Sequence, residues 1–223
     1  MFRTRLGVVG LFSMVIAAFA VVLPGWAVEP AQVDDFEDGT TMGWTEGAPS
    51  PNEPVNVPDG GPGGIGDSYL ENVSAGGSGA GSRMVMFNTS QWSGDYNTAG
   101  VTALRAHMVN LGGIPLSMRV AVEGAGGGRY ASTAAVVLPA GGVWYAVMFE
   151  LNEGAMTVVG GSQTLTSVLD DVTELRVLSS SAPDWQGDAM AATLGMDNLG
   201  VEYPIFGDGF ESMDTSAWSE TLP

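Results

Sequence analysis

Apolar residues in the middle of this chain recur at every second position, and no other feature constrains the fold as tightly. In 143–151, Val143, Tyr145, Val147, Phe149 and Leu151 fall on one face, and Trp144, Ala146, Met148 and Glu150 on the other. In 116–123, Leu116, Met118, Val120 and Val122 oppose Ser117, Arg119 and Glu123. In 101–110, Leu104, Ala106 and Met108 oppose Arg105 and His107. Successive side chains of a strand point to opposite faces, so each segment reads as a strand with one buried and one wet face. Shorter strand candidates are 68–73, 83–88, 132–138, 173–179 and 189–201. Turn chemistry separates them at Gly112-Gly113, Gly124 to Gly128, Pro139-Ala140-Gly141-Gly142 and Gly160-Gly161. Only 164–172 has the makings of a short helix. Roughly eight to ten strands with little helix predict an all-β fold, an antiparallel two-sheet β-sandwich of the jelly-roll type.

Composition narrows the function classes. Seven basic residues, all Arg, face 25 acidic ones, for a net charge of −18. Nucleic-acid binding needs a basic face, so DNA and RNA are excluded as partners, and anionic lipid is repelled for the same reason. With no Cys there are no disulfides, thiolate metal sites or Cys nucleophiles. The single His, His107, stands beside Arg105 on a wet strand face. No Gly-x-Ser-x-Gly elbow accompanies it, and there is no phosphate-binding loop. A pair of acids could hydrolyse a glycosidic bond, but 25 acids supply pairs everywhere, so their presence carries no signal. The expectation is a protein that is not an enzyme, with a glycoside-active enzyme the less favoured reading.

Arg3 and Arg5 precede an uncharged run from Leu6 to Leu23, which is broken by Pro24-Gly25. Gly25-Trp26-Ala27 then places small residues as a cleavage site does. Residues 1–27 therefore read as a signal peptide, the alternative being an uncleaved anchor. A sandwich domain follows over 34–202, then a linker and tail motif over 203–223. The product is expected to be secreted, extracellular or periplasmic, with no membrane span after cleavage. Residues 49–66, rich in Pro and Gly, read as one long loop.

Sugar rings stack on flat aromatic faces with polar groups beside them. Trp92, Asp95 and Tyr96 form one candidate loop for this, and Trp185 marks a second. A third is the sheet face bearing Arg105, His107, Arg119, Trp144 and Arg176. The alternative for each aromatic is a place in the core or at its rim.

Asp35-Phe36-Glu37-Asp38-Gly39 with Gly43-Trp44 resembles the opening strand of secreted galactose-binding-like carbohydrate-binding modules and laminin-B-type domains. Gly66-Asp67-Ser68-Tyr69-Leu70 resembles their second strand, and Pro139-Ala140-Gly141-Gly142-Val143-Trp144 the approach to a central strand. Val172 to Val177 and Leu194 to Leu199 resemble the last two. The resemblance implies a structural calcium ion shared by the first and last strands. On this sequence Glu37 and Asp197 would hold it, with Asp35 or Asp67 beside them. It also implies a bacterial envelope or matrix module without catalysis, whose partner is a polysaccharide or an extracellular protein. A carbohydrate-binding module proper is the alternative. Finally, Phe210-Glu211 and Trp218 repeat the spacing of Phe36-Glu37 and Trp44. This tail resembles a short D-G-F-E-S-G-D-x-S-x-W-S ending of secreted bacterial proteins, with Met213 in place of Gly, which implies a sorting or processing tag.

Overall fold

In the computed structural model, which describes residues 27–202, the alternating segments become the central strands of two antiparallel sheets. The expected signal peptide up to Trp26 and the tail from Tyr203 lie outside the described residues. Among the described residues there are twelve strands: β1 Val33–Asp34, β2 Val55–Val57, β3 Tyr69–Ala75, β4 Val85–Asn88, β5 Ala103–Asn110, β6 Leu116–Gly124, β7 Arg129–Ser132, β8 Val136–Leu138, β9 Trp144–Glu150, β10 Met156–Gly160, β11 Val172–Ser179 and β12 Ala191–Glu202. One helix, α1 Leu165–Leu169, is capped by Thr164, whose hydroxyl accepts from the Ser167 amide, and buries Leu165, Val168 and Leu169.

The first sheet runs β2-β3-β12-β5-β9, with β1 also on β12. The second runs β10-β7-β6-β11-β4, with β8 on β6. This is the expected two-sheet jelly-roll sandwich. Its core lies between the sheets, where Leu104 and Met108 of β5, Met118, Val120 and Val122 of β6, Val147 and Phe149 of β9 and Met196 of β12 pack together. Each is the inward member of an alternating pair.

The structure corrects the sequence reading at several points. The expected strand 132–138 is two strands, because the chain breaks pairing between Ser132 and Val136. A short strand, β2, lies inside the expected long loop, and β10 was not anticipated. Arg119, assigned to a wet face, is buried: its guanidinium donates to the carbonyls of Ser180, Ser132 and Thr133. Val143 and Tyr145, assigned to the core face, are exposed at the start of the edge strand β9.

Candidate functional site

The segment from Val33 to Trp44 organises one end of the molecule around a buried carboxylate. Asp34 is 1 % exposed, and its Oδ2 accepts the indole N–H of both Trp44 and Trp92 at 2.7 Å each. Gln91 Nε2 donates to the same oxygen at 3.2 Å. Burial pushes the Asp34 carboxyl above its usual range, while the indole and amide donors pull it back.

This anchor overturns the first expected sugar platform. Trp92 and Tyr96 are fully buried, and Tyr96 donates its hydroxyl to the Trp92 carbonyl. Neither ring has a free face. Asp95 accepts from the Thr98 amide and hydroxyl, a local turn that holds its carboxyl below the usual range. The second platform is closed as well. Trp185 lies on the outer face of the second sheet, with the guanidinium of Arg176 at 4.0 Å and that of Arg129 at 4.8 Å from its ring. It packs on Ala121, Ala131 and Leu178, so a groove floored by two alanines is filled from within.

The expected third face divides between the sheets. Arg119 and Arg176 belong to the second sheet, whereas Arg105, His107 and Trp144 lie on the outer face of the first. There Trp144 stands edge-on to Tyr69, ring centroids 5.4 Å apart, and donates its indole N–H to the Gly60 carbonyl. Gly195 runs beneath: a Cβ there would meet Val109 Cγ1 at 2.5 Å and the Tyr69 ring at 3.2 Å. Val109 is β-branched and pinned in a strand, so it cannot yield cheaply. Gly195→Ala is therefore expected to cost about 1–3 kcal/mol. Urea unfolding checks this, and an unchanged midpoint would show that the seat has slack.

At Ala146, two residues along β9 from Trp144, the same face opens into a cavity of about 350 Å³, lined also by Val33, Arg105, His107 and Asn198. Arg105 reaches Glu202 at 3.6 Å and is largely exposed. His107 Nδ1 is buried and finds no hydrogen-bond partner among the described residues. Arg105 therefore faces the open space with guanidinium N–H groups to spare, whereas His107 Nδ1 is out of reach of solvent.

The four expected metal-ligating acids come near one another beside the middle of β12. Val33 pairs with Gly200 and Asp34 with Leu199, which brings Asp35 and Glu37 toward Asp197. Asp197 is 1 % exposed, and its proton affinity is pushed up to about 7, first by burial and then by the charges of Asp67, Glu37 and Asp35. Phe36 and Asn198, at the turning points on either side, both have left-handed backbones, with φ of 56° and 52°. That conformation is costly for a bulky residue and tends to mark a functional constraint. Each acid already has a partner. Glu37 accepts from the Ser68 amide at 2.8 Å, Asp67 from Gly63, Asp35 from the Glu37 amide and Asp197 from Asn198. Among the described residues, no group of three or more His, Asp or Glu side chains stands in metal-holding geometry. The donor set is nonetheless all oxygen and collectively anionic, which fits calcium in chemistry, with backbone carbonyls needed to complete the shell.

Asp34 was missed by the sequence reading. The signal was present in the spacing of Trp44 from the Asp34-Asp35 pair, but the contact with Trp92 comes from residues 58 positions away. No helix among the described residues is long and apolar enough to cross a membrane.

No family model and no curated protein matches the chain. Solved structures do. An exo-β-agarase matches with a TM-score of 0.54 and 10 % identity, over 78 % of this chain but 25 % of its own, so this chain spans about a quarter of that protein. The family 11 carbohydrate-binding module of Clostridium thermocellum, in complex with a β-1,3-1,4-mixed-linked tetrasaccharide, matches with a TM-score of 0.52 and 10 % identity, over 79 % of this chain and 97 % of its own. The same family's module from the cellulosomal cellulase Lic26A-Cel5E of that organism gives 0.50 and 10 %, over 78 % and 95 %. At these identities the likeness is one of fold, and the fold is that of the jelly-roll modules.

Proposed function

We propose that this chain is a secreted, non-catalytic carbohydrate-binding module that holds a polysaccharide on the outer face of its first sheet. The observation that carries this reading is the open cavity on the outer face of the first sheet, where the largely exposed Arg105 offers polar contacts and Ala146 lies two residues along β9 from the half-buried Trp144 ring. The likeness to modules that span nearly their whole length, one of them with a tetrasaccharide, favours sugar binding over a purely structural role in the envelope. Chemistry on the sugar is not part of the proposal, since the acids near β12 are engaged in pinning loops.

We further propose that Glu37 and Asp197, with Asp35 or Asp67, hold a structural calcium ion. When bound, the ion supplies the positive charge that four crowded carboxylates lack. Glu37 ties the ion's neighbourhood to the start of β3 through Ser68, and Asp197 anchors it to β12.

Affinity electrophoresis in gels containing mixed-linked β-glucan, agarose or xyloglucan tests the sugar reading. One polysaccharide is expected to retard the protein, and Trp144→Ala to weaken retardation about tenfold. Arg105→Ala should weaken it as well. A panel that leaves the protein unretarded, or a Trp144→Ala variant that migrates like the parent, would overturn this assignment.

A further inference from the structure

Strand β12 breaks its own alternation where the outer-face cavity opens. Its pairing with β5 sets Asp197 against His107 and resumes with Gly200 against Arg105, so Asn198 and Leu199 together oppose Ala106. This is a β-bulge, with one extra residue on the β12 side. Met196 belongs to the core, so strict alternation would turn residue 198 inward and residue 199 outward. The opposite is found. Leu199 is fully buried in the core, and Asn198 lines the cavity together with Arg105. The bulge therefore lifts one polar side chain out of a central strand and sets it in the cavity wall.

The identity of that residue matters. Asn198 has a φ of 52°, a left-handed backbone that glycine adopts at no steric cost. Glycine fills most of the left-handed positions among the described residues, yet here the chain keeps a side chain. The Asn198 amide N–H donates to Asp197 Oδ1 at 2.7 Å, and Asn198 Nδ2 donates to Asp197 Oδ2. An amide group is planar with its nitrogen and oxygen on opposite sides, so Nδ2 on the carboxylate leaves Oδ1 turned away from it. Oδ1 accepts no hydrogen bond among the described residues, and unlike His107 Nδ1 it is not shut away from solvent.

We propose that Asn198 is a sugar-binding residue, an assignment that rests on the outer face of the first sheet being the glycan site: its Oδ1 accepts the O–H of one sugar hydroxyl, while Arg105 donates to the oxygen of another. A hydroxyl can give one hydrogen bond and accept others, so a neutral sugar satisfies both groups at once. A carboxylate or sulfate does not, because it brings no proton for Oδ1, and the charge of Arg105 is already met by Glu202 at 3.6 Å. The left-handed backbone is then the cost of keeping this acceptor in the wall.

Affinity electrophoresis of Asn198→Gly and Asn198→Ala tests this, in whichever of mixed-linked β-glucan, agarose or xyloglucan retards the parent, with thermal unfolding of each variant beside it. Glycine relieves the backbone at 198 and alanine strains it, so alanine is expected to have the lower midpoint. Both lack Oδ1, and both are expected to weaken retardation about tenfold, to the same degree. A glycine variant that is retarded like the parent would show that position 198 serves the backbone alone and would overturn the assignment. Binding losses that follow the order of the midpoints, or a glycine variant that does not fold, would overturn it too. Arg105→Ala separates this role from the wider glycan site. If Arg105→Ala weakens retardation and Asn198→Gly does not, the site stands and the role of Asn198 falls. If none of the three polysaccharides retards the parent, both fall.

Discussion

Asp34→Ala is expected to lower the thermal midpoint by about 10 °C or more, because one carboxylate oxygen is the acceptor for two indoles. Trp44 and Trp92 are 2 % and 0 % exposed, so neither N–H can turn to water once the acceptor is gone. A buried donor left without a partner costs about 1–3 kcal/mol. Two of them, with the Gln91 amide added, cost on the order of 3–6 kcal/mol. For a domain of this size each kcal/mol moves the midpoint by about 2–4 °C. Asp34→Asn separates acceptor from charge: its amide oxygen can still receive both indoles, and Gln91 can present its own oxygen to the new N–H group. A loss well below that of alanine is expected there. Calorimetry of the three proteins decides, and an alanine variant as stable as the parent would mean that the indole bonds contribute nothing net.

The strands that were legible in the sequence are those whose core-facing residues recur at every second position. Leu104, Ala106 and Met108 of β5 face the core while Arg105 and His107 face out; β6 keeps the same inward period although its outer face is covered at Arg119 and Ala121, and β9 keeps it from Val147 onward. What stayed illegible has a physical cause in each case. β1 pairs over only two residues, too short for any period to register. In β10, Val158 is exposed and its neighbours are half-buried, so the apolar residues mark no clear face. Trp92 and Tyr96 sit among Gly, Ser, Asn and Asp, a local context that reads as wet. They are dry because the loop folds onto Asp34 and the Leu169 carbonyl, contacts that no local pattern encodes. Trp185 is flanked by acids in sequence, but its ring is enclosed by Arg129 and Arg176, which arrive from other strands. Buried aromatics in Gly-rich loops were the main source of misplaced site residues. The gathering of Glu37, Asp35 and Asp67 around Asp197 follows from pairing the first strand with the last, which the resemblance supplied and the periodicity alone did not.

Stripped of divalent cations, the protein is expected to lose stability as pH rises from about 4 to 7, and Asp197→Asn should remove most of that slope. The sign follows from where the proton is held. Asp197 in the fold keeps its proton up to about pH 7, against 3.8 when freely solvated. Between those values the unfolded chain releases a proton that the folded chain retains, so raising the pH favours unfolding. Above pH 7 the carboxylate is charged in both states and the full penalty of burying it is present. A shift of this size corresponds to a few kcal/mol. Asp34 and Glu46 are shifted upward too and act in the same direction, which is why the comparison with Asp197→Asn, rather than the raw slope, isolates the site. Millimolar calcium should flatten the parent's profile and raise its midpoint more at pH 8 than at pH 5, because a divalent ion then takes the proton's place among the four acids. It should do little for Asp197→Asn. The measurement is the thermal midpoint from pH 5 to 8 in EDTA and in calcium. Parallel profiles for parent and variant in EDTA would refute the buried, proton-holding carboxylate. A clear EDTA difference with no response to calcium would keep that carboxylate and remove the ion.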